Sequence, residues 1–305
     1  MPDPVLFAKA VAASGAVSVV IVALFTLWKR PASSTRTNLA CVLGIAIGAV
    51  VGFRVLGLVP RWPPADGLDR FLFILLPSSL VVELIASFDR VPRAAAWILR
   101  MGLAAVAGRV LLHGSSYLDG ASSDFTVGQI WIAFAVCTVL LISEWGLLSR
   151  LMQRSLGVSI PLALSQTCVA GGMALMLSGY LTGGKAALPL AAGLAAVAVA
   201  SRLVTSRAAC PGVIGVGIIS LFSILILGRF FGELSTGRAV AIFLAPLLCW
   251  TTELPVFRNR QPWIVAAVRL ALVAVPLAIV LFLAQRDFAK NSAMPAGEDA
   301  GSYEY

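Results

Sequence analysis

The sequence predicts an all-α polytopic membrane protein of about ten transmembrane helices, in which spans 1–4 recur as spans 7–10 in a parallel internal repeat. Three observations predict it. The chain of 305 residues is 59% hydrophobic and only 12% charged, with a mean hydropathy of +0.95. A soluble globular domain carries about 25% charged and about 45–50% apolar residues. The apolar runs approach the ~20 residues that a helix needs to cross a bilayer core. Basic residues gather in alternate connections between those runs. This balance excludes a soluble enzyme, a disordered chain, a coiled coil and a nucleic-acid-binding domain, despite a net charge of +9.

The first span, Val5–Trp28, follows Met-Pro-Asp-Pro without a basic n-region and ends at Lys29-Arg30. It reads as a membrane span and not as a cleaved signal. Leu39–Leu58, Phe71–Phe88 and Ala94–Leu112 complete the first four-helix repeat, residues 1–113. Thr126–Leu148 and Ile160–Leu181 form a central two-helix segment, residues 114–184. Ala186–Ser201, Val213–Gly228, Arg238–Thr252 and Trp263–Ala284 form the second repeat, residues 185–285, before a polar, disordered tail at 286–305. The seventh to ninth spans are the least regular: the seventh and ninth are short, and Gly, Ala and Pro interrupt the pattern.

Loop charge sets the orientation. The odd-numbered connections hold Lys29, Arg30, Arg36, Arg90, Arg93, Arg150, Arg154, Arg202, Arg207, Arg258 and Arg260. The even-numbered ones hold Arg61, Arg70, Lys185, Arg229 and Arg238, with Asp66, Asp69, Asp119, Asp124 and Glu233. Positive charge favours the cytoplasmic side, so the odd connections are expected inside and both termini outside. Arginine in excess of lysine, with abundant alanine, fits a GC-rich bacterial genome, so the expected location is the cell (inner) membrane with periplasmic termini. Each of the 7 tryptophans (Trp28, Trp62, Trp97, Trp131, Trp145, Trp250, Trp263) falls within about five residues of a proposed span end, as an interfacial aromatic belt requires.

The repeat has an offset of about 170 residues. Val42-Leu-Gly-Ile-Ala-Ile47 resembles Val213-Ile-Gly-Val-Gly-Ile218, with Arg36 matching Arg207 and Gly57 matching Gly228. Arg70, Pro77 and Glu83 match Arg238, Pro246 and Glu253, and Arg90 and Arg100 match Arg258 and Arg269. An even number of spans separates the copies, so they share one orientation, as in the halves of some secondary transporters.

Charges inside spans are costly, about 2.5–3.5 kcal/mol each on insertion scales, and so call for a reason. Glu83 lies shortly before the turn between spans 3 and 4, and Arg100 shortly after it. At 1.5 Å rise per residue both sit about 10 Å from the turn. Glu253 and Arg269 hold the same relation about the turn near Asn259. These four residues are the candidate intramembrane ion pairs, serving either as parts of a conformational cycle or as structural clamps. Pro77 and Pro246 free backbone carbonyls inside spans 3 and 9, which can line a cavity. Ser165, Gln166 and Thr167 in span 6, followed by Gly171-Gly172, are candidate path-lining or helix-packing residues. Arg54 is a candidate anion-attracting residue at the outer end of span 2. Glu144 is read as interfacial, near Arg150.

The chemistry-bearing motifs that would name an activity do not occur. There is no GxxxxGK[ST], HExxH or GxSxG. The 5 cysteines, Cys41, Cys137, Cys168, Cys210 and Cys249, form no CxxC and read as small apolar residues. His113 is the single histidine, which cannot build a haem or His-rich metal site. Asp66-Gly-Leu-Asp69 is a DxxD, a pair that can hold a divalent metal on a phosphate or diphosphate, but it falls on the outer face, its spacing is common and Arg70 follows directly, so it is not nominated as a metal site. No catalytic residue, metal set or cofactor is nominated. The expected function is a small secondary transporter or lipid/solute flippase, with the bilayer and an unknown solute or lipid as partners. The alternatives are a non-catalytic subunit of a larger membrane complex and, more weakly, an enzyme acting on a lipid-linked substrate at the outer face.

Overall fold

The computed structural model describes residues 4–27, 34–115, 127–154, 157–204, 210–254, 257 and 260–293. The connection carrying Asp119 and Asp124, and Trp28, Arg207, Arg258 and Asn259, lie outside the described residues. The described chain is all helical. Ten segments follow one another: α1 (Pro4–Leu27), α2 (Ser34–Val55), α3 (67–86), α4 (Arg93–Leu112), α5 (Val127–Arg154), α6 (Ser159–Leu177), α7 (Leu181–Val204), α8 (Pro211–Phe231), α9 (236–253) and α10 (Pro262–Ala293). Eight of them are long and apolar enough to cross a bilayer. The chain is therefore an integral membrane protein with many spanning helices.

The two that fall short of this, α3 and α9, are broken helices, and a proline accounts for each break. In α3, Pro77 has no N–H to offer the carbonyl of Phe73. The chain opens into a π turn over Phe71–Leu75 before resuming α geometry at Leu76–Ala86. In α9, Pro246 cannot serve the carbonyl of Ile242. The Ala245 N–H takes that carbonyl instead, and the helix tightens to 3-10 form over Ala245–Glu253. The π turn lies just before Pro77, whereas the 3-10 stretch begins at Ala245 and runs on past Pro246.

Two helix ends differ from the sequence expectation. α5 runs unbroken to Arg154, beyond Leu148, because Gly146-Leu-Leu-Ser149 continues its buried face. This puts Trp145 inside the helix at 1% exposure, so it is a core residue and not part of an interfacial belt. α10 continues through residues 286–293, where Asp287 pairs with Arg238, so the polar residues there extend the helix. Residues 294–305 lie outside the described residues. The irregular eighth segment proves central: every residue of α8 from Gly212 to Leu225 is buried, and α2, α3, α4, α5, α6, α7 and α9 all pack on it.

Small residues set the closest approaches. α1, α2 and α7 pack as a layer held by serines: Ser14 Oγ donates to the Pro189 carbonyl at 2.7 Å, and Ser18 Oγ to the Gly44 carbonyl at 2.9 Å. A Cβ at Gly172 would lie 2.5 Å from the Ala187 Cβ, so α6 and α7 meet almost backbone to backbone. Gly179 takes φ +89° just past α6, which lets the Tyr180 N–H return to the Leu175 carbonyl at 3.2 Å and close the helix end.

Candidate functional site

The candidate site is the pair of α-hairpins that carry opposed charges, together with one carboxyl that the sequence reading undervalued. In the first hairpin, Glu83 comes from the regular part of α3 and Arg100 from the second turn of α4. Arg100 Nε donates to Glu83 Oε1 at 2.9 Å and Nη2 to Oε2 at 2.7 Å, a bidentate pair. Glu83 is fully buried and the Arg100 side chain is 12% exposed. The guanidinium is flanked by two indoles, Trp97 at 5.3 Å and Trp145 at 5.7 Å from the ring centroids. Opposite stands Gly215 of α8, where a Cβ would come within 2.1 Å of Glu83 Oε1 and 2.6 Å of the Trp145 ring. The absent side chain at 215 makes room for the pair.

In the second hairpin, Arg269 of α10 is 4% exposed and holds three partners. Its Nη2 donates to Glu253 Oε1 at 2.8 Å, its Nε to Thr252 Oγ1 at 2.6 Å and its Nη1 to Ser159 Oγ at 3.2 Å. Ser159 opens α6, so this arginine ties the central segment to the hairpin. Glu253 is 31% exposed. It borders a cleft of about 1140 Å³ on the face of the odd-numbered connections, also lined by Arg154, Arg202, Arg260 and Trp263. Arg154 stacks over Trp250 at 5.6 Å. The first pair is sealed in the bundle, and the second opens on a cationic cleft.

Beside the first pair, Asn38 of α2 donates to Ser87 Oγ and accepts the Gly212 N–H at 3.0 Å, while Ser87 Oγ donates to the Glu83 carbonyl at 2.6 Å. One amide thus satisfies the start of α8 and the end of α3. Cys41 and Cys210, both free thiols, meet nearby with sulfurs 2.8 Å apart.

The remaining nominated residues are dispersed. Ser165 Oγ donates to the Ala191 carbonyl of α7 at 2.7 Å, and Thr167 Oγ1 to the Ala163 carbonyl of its own helix at 2.6 Å. Gln166 is half-buried, with an Oε1 that meets no donor. Pro77 and Arg54 are exposed, and Pro246 is buried. None of these is hydrogen-bonded to the ion pairs among the described residues.

Glu144 differs from the sequence expectation. Because α5 runs on to Arg154, Glu144 lies about 15 Å from that end. It is 0% exposed, and neither carboxylate oxygen meets a donor. Its neighbour Trp145 also has a buried indole N–H without an acceptor. A span 5 that ended at Leu148 would place both at an interface; the longer helix places them in its interior.

At the other face, the two aspartates of Asp66-Gly-Leu-Asp69 serve the backbone. Asp66 accepts the Asp69 N–H at 2.8 Å, and Asp69 accepts the Arg61 N–H at 3.1 Å and the Ala65 N–H at 3.4 Å. Burial, then the charges of Asp66 and Asp69, push the Tyr180 phenol between α6 and α7 up to about 12. No protein-family model matches the chain, and no curated protein is significantly similar to it.

Proposed function

We propose that this integral membrane protein has ten spans, α1–α4 and α7–α10 being parallel repeats, and that it works as a small secondary transporter or lipid/solute flippase. The cell membrane, with the odd-numbered connections in the cytoplasm and both termini outside, is the setting that loop charge supports. One observation carries the reading: each of two helical hairpins holds a Glu–Arg pair, with its carboxylate fully buried in one and open to an arginine-lined cleft in the other. Two like elements in unlike states are what a bistable transport cycle needs. The paired broken helices, each set by a proline, support the repeat.

Proteoliposomes test this. They are assayed for release of a mixed metabolite panel by mass spectrometry and for dithionite-accessible flipping of fluorescent phosphatidylcholine. Flux of any component above empty vesicles, lost in Glu83→Gln and in Arg269→Leu, supports the proposal. Equal flux in the parent and both variants removes the pairs from the mechanism. Absence of flux throughout removes transport.

A further inference from the structure

We propose that Glu144 is a proton-binding site, an acid that holds its proton while sealed in the bundle and releases it to water when α5 separates from α8 and α9. As a coupling site it rests on the transport reading above; as a proton site it does not. Of the other buried charged side chains, Glu83 and Arg269 have partners of opposite charge and Asp69 accepts two backbone N–H groups; Glu144 has neither kind of partner among the described residues. An unpaired charge sealed from water is far costlier than the neutral acid. The packing around Glu144 therefore accommodates the acid, and the carboxylate requires hydration.

The groups facing it from each packed element agree. On α4, Arg100 is committed to Glu83, and Arg93 and Arg109 lie at the helix ends. On α8 the single charge is Arg229, at the far end. On α9, Glu253 is committed to Arg269, and Arg238 to Asp287. α6 carries no charged residue, and its titratable group is Cys168, which lies within electrostatic reach of Glu144. On α5 itself, Arg150 and Arg154 stand about 9 Å and 15 Å along the axis. No cation on these elements is free to neutralise Glu144.

The surroundings also suggest a path. The other buried polar atoms that lack a partner belong to Trp145, Gln166, Ser220 and Trp250. They lie on α5, α6, α8 and α9; among these, α8 packs on each of the other three, and α5 packs on α8 and α9. Leu140, one turn from Glu144 on the same face of α5, lines an apolar groove of about 290 Å³ between α5, α8 and α9. In the proposed step the Oε–H bond breaks, the proton passes to water and the carboxylate keeps the electron pair. The reverse step reloads it.

Infrared spectroscopy of the full-length protein in micelles tests the site without any substrate. At pH 7 the parent is expected to show the carbonyl stretch of a protonated carboxylic acid, shifted by [13C]glutamate labelling. That band is expected to be lost in Glu144→Gln and moved in Glu144→Asp. A parent without the band, or a band that survives in Glu144→Gln, overturns the proposal. If Glu144→Gln fails to fold, the move of the band in Glu144→Asp decides the matter, and a band that stays in place there overturns the proposal. Absence of the band from the parent rejects the proton site whatever the vesicle flux shows, and a parent band without any flux rejects the transport reading alone.

Discussion

Replacing Glu83 by Gln and Glu253 by Gln asks the same chemical question in two settings, and the structure predicts unequal answers. In the first, Gln keeps the shape but leaves the Arg100 guanidinium, 12% exposed, without a counter-charge. Breaking a buried pair from one side costs about 3–5 kcal/mol, and the Trp97 and Trp145 faces soften this toward ~3 kcal/mol. In the second, Arg269 retains the Thr252 and Ser159 hydroxyls, and Glu253 is 31% exposed to begin with. The expected loss is about 1 kcal/mol. The gap of ~2 kcal/mol is measurable by unfolding in mixed micelles of rising SDS fraction, followed by tryptophan fluorescence. A further arm replaces Glu83 and Arg100 together by Leu and Met, removing both charges, and is expected to recover most of the first loss. Equal losses for the two Gln variants, or no recovery in the double variant, would refute the unequal burial on which the functional reading stands.

Three other outcomes follow from the packing. Gly215→Ala drives a methyl into the Glu83 carboxylate and the Trp145 ring and is expected to cost about 1–3 kcal/mol in the same assay; a neutral result contradicts the close approach. Ser18→Ala removes the hydroxyl that joins α1 to α2 and is expected to cost about 0.6–1 kcal/mol; no change means that this bond is not formed in the bilayer. Tyr180 has a folded pKa of about 12 against an ordinary 10.0, so the folded state binds the extra proton between these values. Its stabilising contribution is present below pH 10 and lost as pH rises through about 12, so the parent should weaken across that window more than Tyr180→Phe. Parallel pH profiles would contradict it.

Composition and run length carried the class of this protein, because a bilayer imposes helices of one length and leaves little choice of architecture. They carried less about α3 and α9. Pro77 and Pro246 were visible, but whether a proline produces a π turn or a 3-10 stretch depends on which carbonyl the neighbouring turn can still serve. The depth of each Glu and Arg relative to its turn could be worked from the helical rise alone. Their environments could not, since Gly215 against Glu83 and Ser159 against Arg269 come from segments distant in the chain. Glu144 shows the same limit from the other side. Its significance depends on where α5 ends and on what α6 and α8 fail to offer it, and neither is a local property of the sequence.

The most direct test of the account locks the second hairpin. In a cysteine-free background that retains flux, Arg238→Cys with Asp287→Cys, which face each other across α9 and α10 outside the two Glu–Arg pairs, are joined by a bismaleimide with a disulfide in its spacer, and flux is followed in proteoliposomes before and after reduction. Cross-linking is expected to stop flux and reduction to restore it. Flux that continues unchanged in the cross-linked protein would contradict a transport cycle that works through the second hairpin.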